Sequence, residues 1–261
     1  MTGPQPSPPQ PRGPLTRDRL RAGFDAAAPR YDLMVALNPG YRRHLRRAAR
    51  AVVDEIDHPT PTLLDLGCGS GLSTRALLGA ARRRGMSPRI IAVDASEGML
   101  AHARRRRWPE GVVFVQGMAE SLPAMDLPPA RGVLACYLLR NVTDLDATLR
   151  GIVGCLAPGA PFVAEDYSVR ASRQAQARWH LVNRAIIGPL ARLLTDQAEV
   201  HEYLHRSVDD FCTMPELAAR MEAAGFRDIA HRTVGGWQRD ILHLVRGTSP
   251  DGDRGPLGRP S

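Results

Sequence analysis

The segment Leu63-Leu64-Asp65-Leu66-Gly67-Cys68-Gly69-Ser70-Gly71 constrains this chain more than any other stretch. An apolar run of strand length ends in three glycines at alternate positions. A helix-compatible run from about Ser70 to Arg84 follows. Glycine reaches left-handed backbone conformations cheaply and lets a ligand come against the main chain. Strand, glycine turn and helix in that order place a ligand at the carboxyl edge of a parallel sheet.

The rest of the chain repeats the alternation. Strand candidates recur at RIIAV (89–93), VVFVQ (112–116), GVLAC (132–136) and PFVAED (161–166), with helical stretches between most of them. Such βαβ repetition gives a parallel sheet covered by helices on both faces. RDIAHRTV (227–234) and DILHLVRG (240–247) are joined by a short link containing Gly235-Gly236 and read as an antiparallel hairpin. The expected fold is a three-layer, Rossmann-like α/β domain, mostly parallel and seven-stranded, with that hairpin at its end. It spans residues 15–247, with an N-terminal helical cap at 15–57 and an inserted substrate cover at 170–210. Proline-rich residues 1–14 and residues 248–261 read as disordered tails.

The glycine spacing separates cofactors. Dinucleotide enzymes favour G-x-G-x-x-G, whereas here the third glycine comes one residue early. Asp65, two residues before the first glycine, would repel a pyrophosphate and attract an ammonium. That combination points to S-adenosylmethionine, and a terminal hairpin suits a methyltransferase better than a dehydrogenase. Asp94, ending the second strand, is placed to accept the ribose hydroxyls. Gly117-Met118-Ala119-Glu120 lies where an adenine would rest on the backbone. The expected cofactor contacts are Asp65, Gly67, Cys68, Gly69, Gly71, Asp94, Ala95, Met99, Met118, Ala119, Glu120 and Tyr137. A nicotinamide or flavin site and a purely structural turn are the competing readings.

Composition sets wider bounds. At 261 residues and 43% hydrophobic, the chain can bury a sizeable core. It has no apolar run of 18 residues, and its N-terminus lacks the apolar region of a signal peptide. Four scattered cysteines form no C-x-x-C pair, which argues against a zinc or disulfide framework and for a reducing cytoplasm. All 35 basic residues are arginine and the net charge is +8. Charge of that sign favours nucleic acid, anionic lipid or acidic substrates without choosing among them.

Several strings carry a more specific resemblance. Phe24-Asp25-Ala26-Ala27-Ala28-Pro29-Arg30-Tyr31-Asp32, Gln116 to Pro123, Leu139-Arg140-Asn141-Val142-Thr143-Asp144, Tyr203-Leu204 with Ser207, and Ala223-Ala224-Gly225-Phe226 are its residues. Together with the glycine loop they resemble the ubiquinone/menaquinone biosynthesis C-methyltransferase family over nearly all the chain between the tails. The resemblance implies methyl transfer from S-adenosylmethionine to a ring carbon of a polyprenylated hydroquinone. It implies that Arg140 stabilises the phenolate or holds a proton-accepting water, and that Asn141 orients the substrate. Tyr31 would cover the cofactor. Asp166, ending the fifth strand, is a second candidate for proton handling. Three positions depart from the family: Met118 replaces a polar residue, Arg131 an acid, and Leu138 a glycine beside the Arg-Asn pair. They bear on the substrate more than on the reaction.

Other features stay secondary. His201-Glu202-Tyr203-Leu204-His205 matches H-E-x-x-H, but is read as polar helix surface, so no metal is expected. Arg42, Arg43, Arg46, Arg47 and Arg50 read first as a solvated face, then as a surface for anionic lipid at the inner membrane face. No specific nucleic-acid partner is expected, because aromatic platforms are not interleaved with the arginines. Trp179 to Leu194 reads as a lid over the substrate mouth or as a core helix. A homodimer is compatible with the sequence.

Overall fold

The computed structural model describes Ala22, Gly23, Asp25, Asp32 and residues 40–187 and 198–251. The helical elements are α1 (Tyr41–Val53), α2 (Leu72–Arg83), α3 (Glu97–Arg104), α4 (Leu145–Cys155), α5 (Arg173–Val182), α6 (Ala198–Asp210) and α7 (Met214–Ala223). The strands are β1 (Thr62–Leu66), β2 (Arg89–Asp94), β3 (Val112–Gln116), β4 (Gly132–Cys136), β5 (Pro161–Tyr167), β6 (Arg227–Thr233) and β7 (Leu242–Thr248). They form one seven-stranded sheet in the order β3-β2-β1-β4-β5-β7-β6. The first five are parallel, and β7 runs antiparallel to both β5 and β6. The expected hairpin is therefore present, but its second strand inserts beside β5 and its first becomes the edge. That edge is largely exposed and carries Arg227, Asp228, His231 and Arg232, charges that discourage a further strand from pairing there.

Strand alternation sorts the apolar side chains into two cores. Leu64, Leu66, Val133, Ala135, Phe162 and Ala164 face one side and pack with Leu149 and Ile152 of α4 and Leu217 and Met221 of α7. Leu63, Ile90, Leu134 and Val163 face the other and pack with Leu45, Ala48, Ala49 and Val52 of α1 and with Leu77 of α2. Helix α1 keeps Arg42, Arg43, Arg46 and Arg50 exposed while its apolar stripe is buried. Polar N-caps fix where helices begin. Asp144 caps α4 by accepting from Ala147 N, and Thr213 with Glu216 forms a capping box on α7.

The boundary expected at 247 moves outward. Strand β7 continues to Thr248, and buried Ser249 donates to the Ala157 carbonyl while accepting from Ala160 N. A serine that satisfies two backbone groups belongs to the domain, whatever its proline-rich neighbours suggest. Among the described residues no helix is long and apolar enough to cross a membrane.

Strand β5 is wholly buried yet carries Glu165 and Asp166. Burial pushes the Glu165 carboxyl up to about 8, against the hydrogen bond donated by Tyr137 Oη at 3.3 Å. The folded protein then holds a proton that the unfolded chain releases near pH 4.5. This contribution to stability is present below that pH and is lost as pH rises through about 8. Glu165→Gln removes the titration. The mutant should gain on the wild type between about pH 4.5 and 8 by at least about 1 kcal/mol, or roughly 2–4 °C in Tm. A Tm difference that stays flat over this range would show that Glu165 is not held protonated.

Candidate functional site

The glycine loop leaves the end of β1 with Gly67, Gly69 and Gly71 at φ 67°, 52° and 85°. Two of these positions also lack room. A Cβ on Gly67 would stand 3.0 Å from Leu138, and one on Gly71 would stand 2.9 Å from the Trp108 ring. Gly71 is the N-cap of α2, so the tight turn delivers that helix's N-terminus to the sheet edge.

Carboxylates hold this loop from three directions. Asp65 is fully buried beneath it, and its Oδ2 accepts from Ser73 Oγ at 2.8 Å and Thr74 Oγ1 at 2.6 Å. Burial raises the Asp65 carboxyl to about 7, in spite of those two hydroxyls. Asp94 stands beside the loop, with Oδ2 accepting from Gly69 N at 2.7 Å and Oδ1 from Ser96 N at 2.9 Å. Burial raises this carboxyl as well. Asp32 lies over the loop, accepting from Ser70 Oγ at 2.6 Å and pairing with Arg106. Burial alone would raise Asp32, but the Ser70 hydroxyl and the Arg106 guanidinium hold it below its ordinary value. Asp25 accepts from Ser96 Oγ at 2.5 Å and Gly98 N at 2.9 Å, at the N-terminus of α3. The two acids of the F-D…Y-D string thus pin the N-terminal segment to the loop and to the neighbouring helix.

A cavity of about 410 Å³ opens above these strand ends, a size typical of small-molecule sites. Of the residues expected from sequence, its wall brings together Gly67, Cys68, Gly69, Asp94, Ala95, Met99, Met118, Ala119, Glu120, Tyr137 and Asn141. Asp65, Gly71, Arg140 and Asp166 are not on this wall. Asp65 is tied to the start of α2 through Oδ2, which accepts both the Ser73 and Thr74 hydroxyls, while its buried Oδ1 has no hydrogen-bond partner. It shapes the loop in the place where a direct contact to an ammonium was expected. Tyr31 and Phe24 lie outside the described residues. Leu138 and Met118, two of the positions that depart from the family pattern, both stand on the wall.

Arg140 and Asp166 meet each other. The Arg140 guanidinium pairs with Asp166 Oδ1, and Arg140 N donates to Asp166 Oδ2 at 3.2 Å. The pair is buried, at 9% and 3% side-chain exposure, and the guanidinium carbon lies 5.9 Å over the Tyr137 ring and 5.6 Å over that of Tyr167. Asn141 donates through Nδ2 to the Tyr137 carbonyl at 3.0 Å. Its Oδ1 is buried without a hydrogen-bond partner. A buried acceptor left unpaired is costly.

Two features escaped the sequence. Tyr137 carries a left-handed φ of 60°, which is strained for a bulky residue. It is also one ring in a stack running Tyr41, Tyr137, Tyr167, Trp179 and His205, with centroids 5.1 to 5.9 Å apart. Residues so distant in sequence leave no local signal of such a stack.

The strand order, the loop at the carboxyl edge and the terminal antiparallel pair define a class I methyltransferase fold. Solved structures share it, among them a putative methyltransferase in complex with the Haloferax volcanii Trm112 activator, with TM-score 0.62 and 20% identity over 89% of this chain and 98% of that one. The [4+2]-cyclase SpnF shares it with TM-score 0.63 and 16% identity over 90% and 97%.

Sequence narrows the class, for the ubiE/COQ5 methyltransferase family model matches residues 15–239 and the chain belongs to that family. It is 34% identical to the ubiquinone/menaquinone biosynthesis C-methyltransferase UbiE of Acidiphilium cryptum over 87% of this chain and 89% of the relative. It is also 34% identical to the 2-phytyl-1,4-naphtoquinone methyltransferase of Thermosynechococcus vestitus, over 81% and 92%.

The loop geometry makes a simple stability prediction. Gly71→Ala combines a left-handed φ with a clash against a rigid ring, and should cost about 1–3 kcal/mol. Gly154→Ala, inside α4 and facing open space, should gain about 0.5–1 kcal/mol. Urea unfolding of both variants measures the contrast; equal effects would contradict the described loop.

Proposed function

We propose that this protein transfers the methyl group of S-adenosylmethionine to a ring carbon of a prenylated hydroquinone of the demethylmenaquinol type. The observation that carries the reading is Asn141, a residue of the cavity wall whose buried Oδ1 has no hydrogen-bond partner, next in sequence to a guanidinium fixed by Asp166. When bound, S-adenosylmethionine supplies an electrophilic methyl on a sulfonium. The glycine loop, with free approach to its backbone, and the Asp94 carboxylate, whose oxygens retain acceptor capacity, fit the polar parts of such a group.

A hydroquinone carbon becomes a useful nucleophile when a ring hydroxyl has lost its proton. Asn141 Oδ1 would accept from that hydroxyl and fix the ring. Arg140 stays charged and is no ordinary base; its field favours the phenolate, and the proton passes to a water held at the guanidinium. Asp166, tied to Arg140 through both its side chain and its backbone N–H, acts as a positioning residue. The stacked rings of Tyr137 and Tyr167 both lie within cation–π distance of the guanidinium.

Curated relatives support the substrate class: one from Clavibacter sepedonicus, 29% identical over 90% of this chain and 91% of its own, is a demethylmenaquinone methyltransferase. A second reading, methylation of another prenylated or polycyclic aromatic metabolite, is favoured by Leu138, which narrows the cavity against Gly67. The cyclase neighbour is a reminder that fold alone does not fix the reaction.

The test supplies labelled S-adenosylmethionine and a reduced demethylnaphthoquinone with a short prenyl chain. Label should appear on a ring carbon. Asn141→Leu should lower kcat by about 10²-fold or more while cofactor affinity changes little. Arg140→Ala should abolish turnover, with Arg140→Lys as the variant that keeps a charge against Asp166. Cofactor binding without transfer to any prenylated quinol would overturn the quinone reading and favour the second. Asp94→Ala should instead weaken cofactor binding at least about ten-fold in calorimetry, as loss of charge-assisted hydrogen bonds at a buried site requires. Unchanged affinity would remove Asp94 from the cofactor site.

A further inference from the structure

At the far end of the aromatic stack, helices α5 and α6 bring together His180, His205 and Asp209. One ligand atom from each residue lies within 4.8 Å of the other two. His180 Nδ1 is 3.2 Å from His205 Nε2, His180 Nε2 is 3.5 Å from Asp209 Oδ1, and His205 Nδ1 is 4.0 Å from Asp209 Oδ2. His205 and Asp209 are four residues apart on α6, so helical periodicity puts them on one face. His180 comes from α5.

From this geometry we infer a divalent transition-metal site, of the Zn²⁺ type, made by His180, His205 and Asp209. Two imidazoles and a carboxylate are the donor set of late first-row divalent ions. In a tetrahedral zinc site the ligand atoms stand about 3.3 Å apart, given bonds of about 2.0–2.1 Å. The closest nitrogen pair is already at that separation. His180 is 44% exposed, so its ring can turn to close the remaining gap and an ion can enter from solvent. Asp209 Oδ1 is buried and makes no hydrogen bond, which leaves a carboxylate oxygen for a cation.

The surroundings complete the site. The His205 ring lies against Trp179 at a centroid distance of 5.9 Å with only 9° between planes. Trp179 and Val208 are buried beside it. An apolar backing of this kind fixes ring orientation and excludes water from one side of an ion. The site holds three protein ligands and leaves a fourth position for water. Its role is a clip that ties α5 to α6 across the sequence between them. Of the H-E-x-x-H string the site uses His205, while the side chains of His201 and Glu202 lie outside the described residues; the other two ligands come from α5 and from the next turn of α6.

The experiment uses the full-length protein, stripped with chelator, and titrates it with Zn²⁺ by calorimetry and with Co²⁺ by visible absorption. The expected result is one equivalent bound per chain, a Co²⁺ spectrum of four-coordinate character and a rise in Tm that grows with Zn²⁺ concentration. His180→Asn and Asp209→Asn should each weaken Zn²⁺ binding at least ten-fold, and should fold, since both side chains are partly exposed. Circular dichroism without metal confirms this. Absence of binding at 100 µM-scale Zn²⁺, on the order of the weakest useful metal affinities, overturns the proposal. So does binding that survives both ligand variants.

Discussion

The buried carboxylate of Asp65 is the constraint from which the rest of this site follows. It sits under the glycine loop with no exposed surface and accepts the hydroxyls of Ser73 and Thr74. Those hydroxyls stand in the first turn of α2, so one acid fixes the helix start relative to the strand end. The loop between them must then turn within a few residues, which is why three glycines with positive φ occupy it. Burying a carboxylate is unfavourable, and its rise to about 7 records that. The cost is borne locally by two short hydrogen bonds.

From that anchor the other acids take separate jobs. Asp94 fixes Gly69 by accepting its N–H, and Asp32 fixes Ser70 from the N-terminal side. A loop gripped at three neighbouring points keeps its backbone donors in place for a ligand without reorganising on binding, which is how preorganisation saves affinity. Behind the Tyr137–Asn141 side of the cavity, Asp166 does for Arg140 what Asp65 does for the loop. A buried ion pair of this kind adds little net stability, but it leaves a guanidinium in one position beside the cavity.

Much of this was legible in the sequence. The strand runs are short, apolar and bounded by turns, so β1 to β5 fall where periodicity puts them. The hairpin was legible as a pair, but its order was not, because nothing local says that β7 lies beside β5. Cavity residues were found where a motif encodes backbone approach, at Gly67, Gly69 and Asp94. Asp65 was misplaced relative to the cavity, since spacing shows that an acid precedes the glycines but not which way its oxygens point. The outward shift of the C-terminal boundary came from Ser249, whose two backbone contacts no composition rule could see.

What the sequence hid altogether is the stack from Tyr41 to His205, assembled from α1, the end of β4, β5, α5 and α6. It joins the cavity wall to the helices that flank the proposed metal site. Its first two rings line the cavity, and Tyr137 and Tyr167 together lie to one side of the Arg140 guanidinium. Stacked rings are stiff in the direction of the stack, because packing at this density has no slack to absorb a displacement. An ion that fixed His205 would therefore fix Trp179, then Tyr167, and through them the aromatic faces on which the guanidinium rests. A clip between α5 and α6 would act on the position of Arg140 without touching the substrate, and its loss would show in turnover before it showed in cofactor binding.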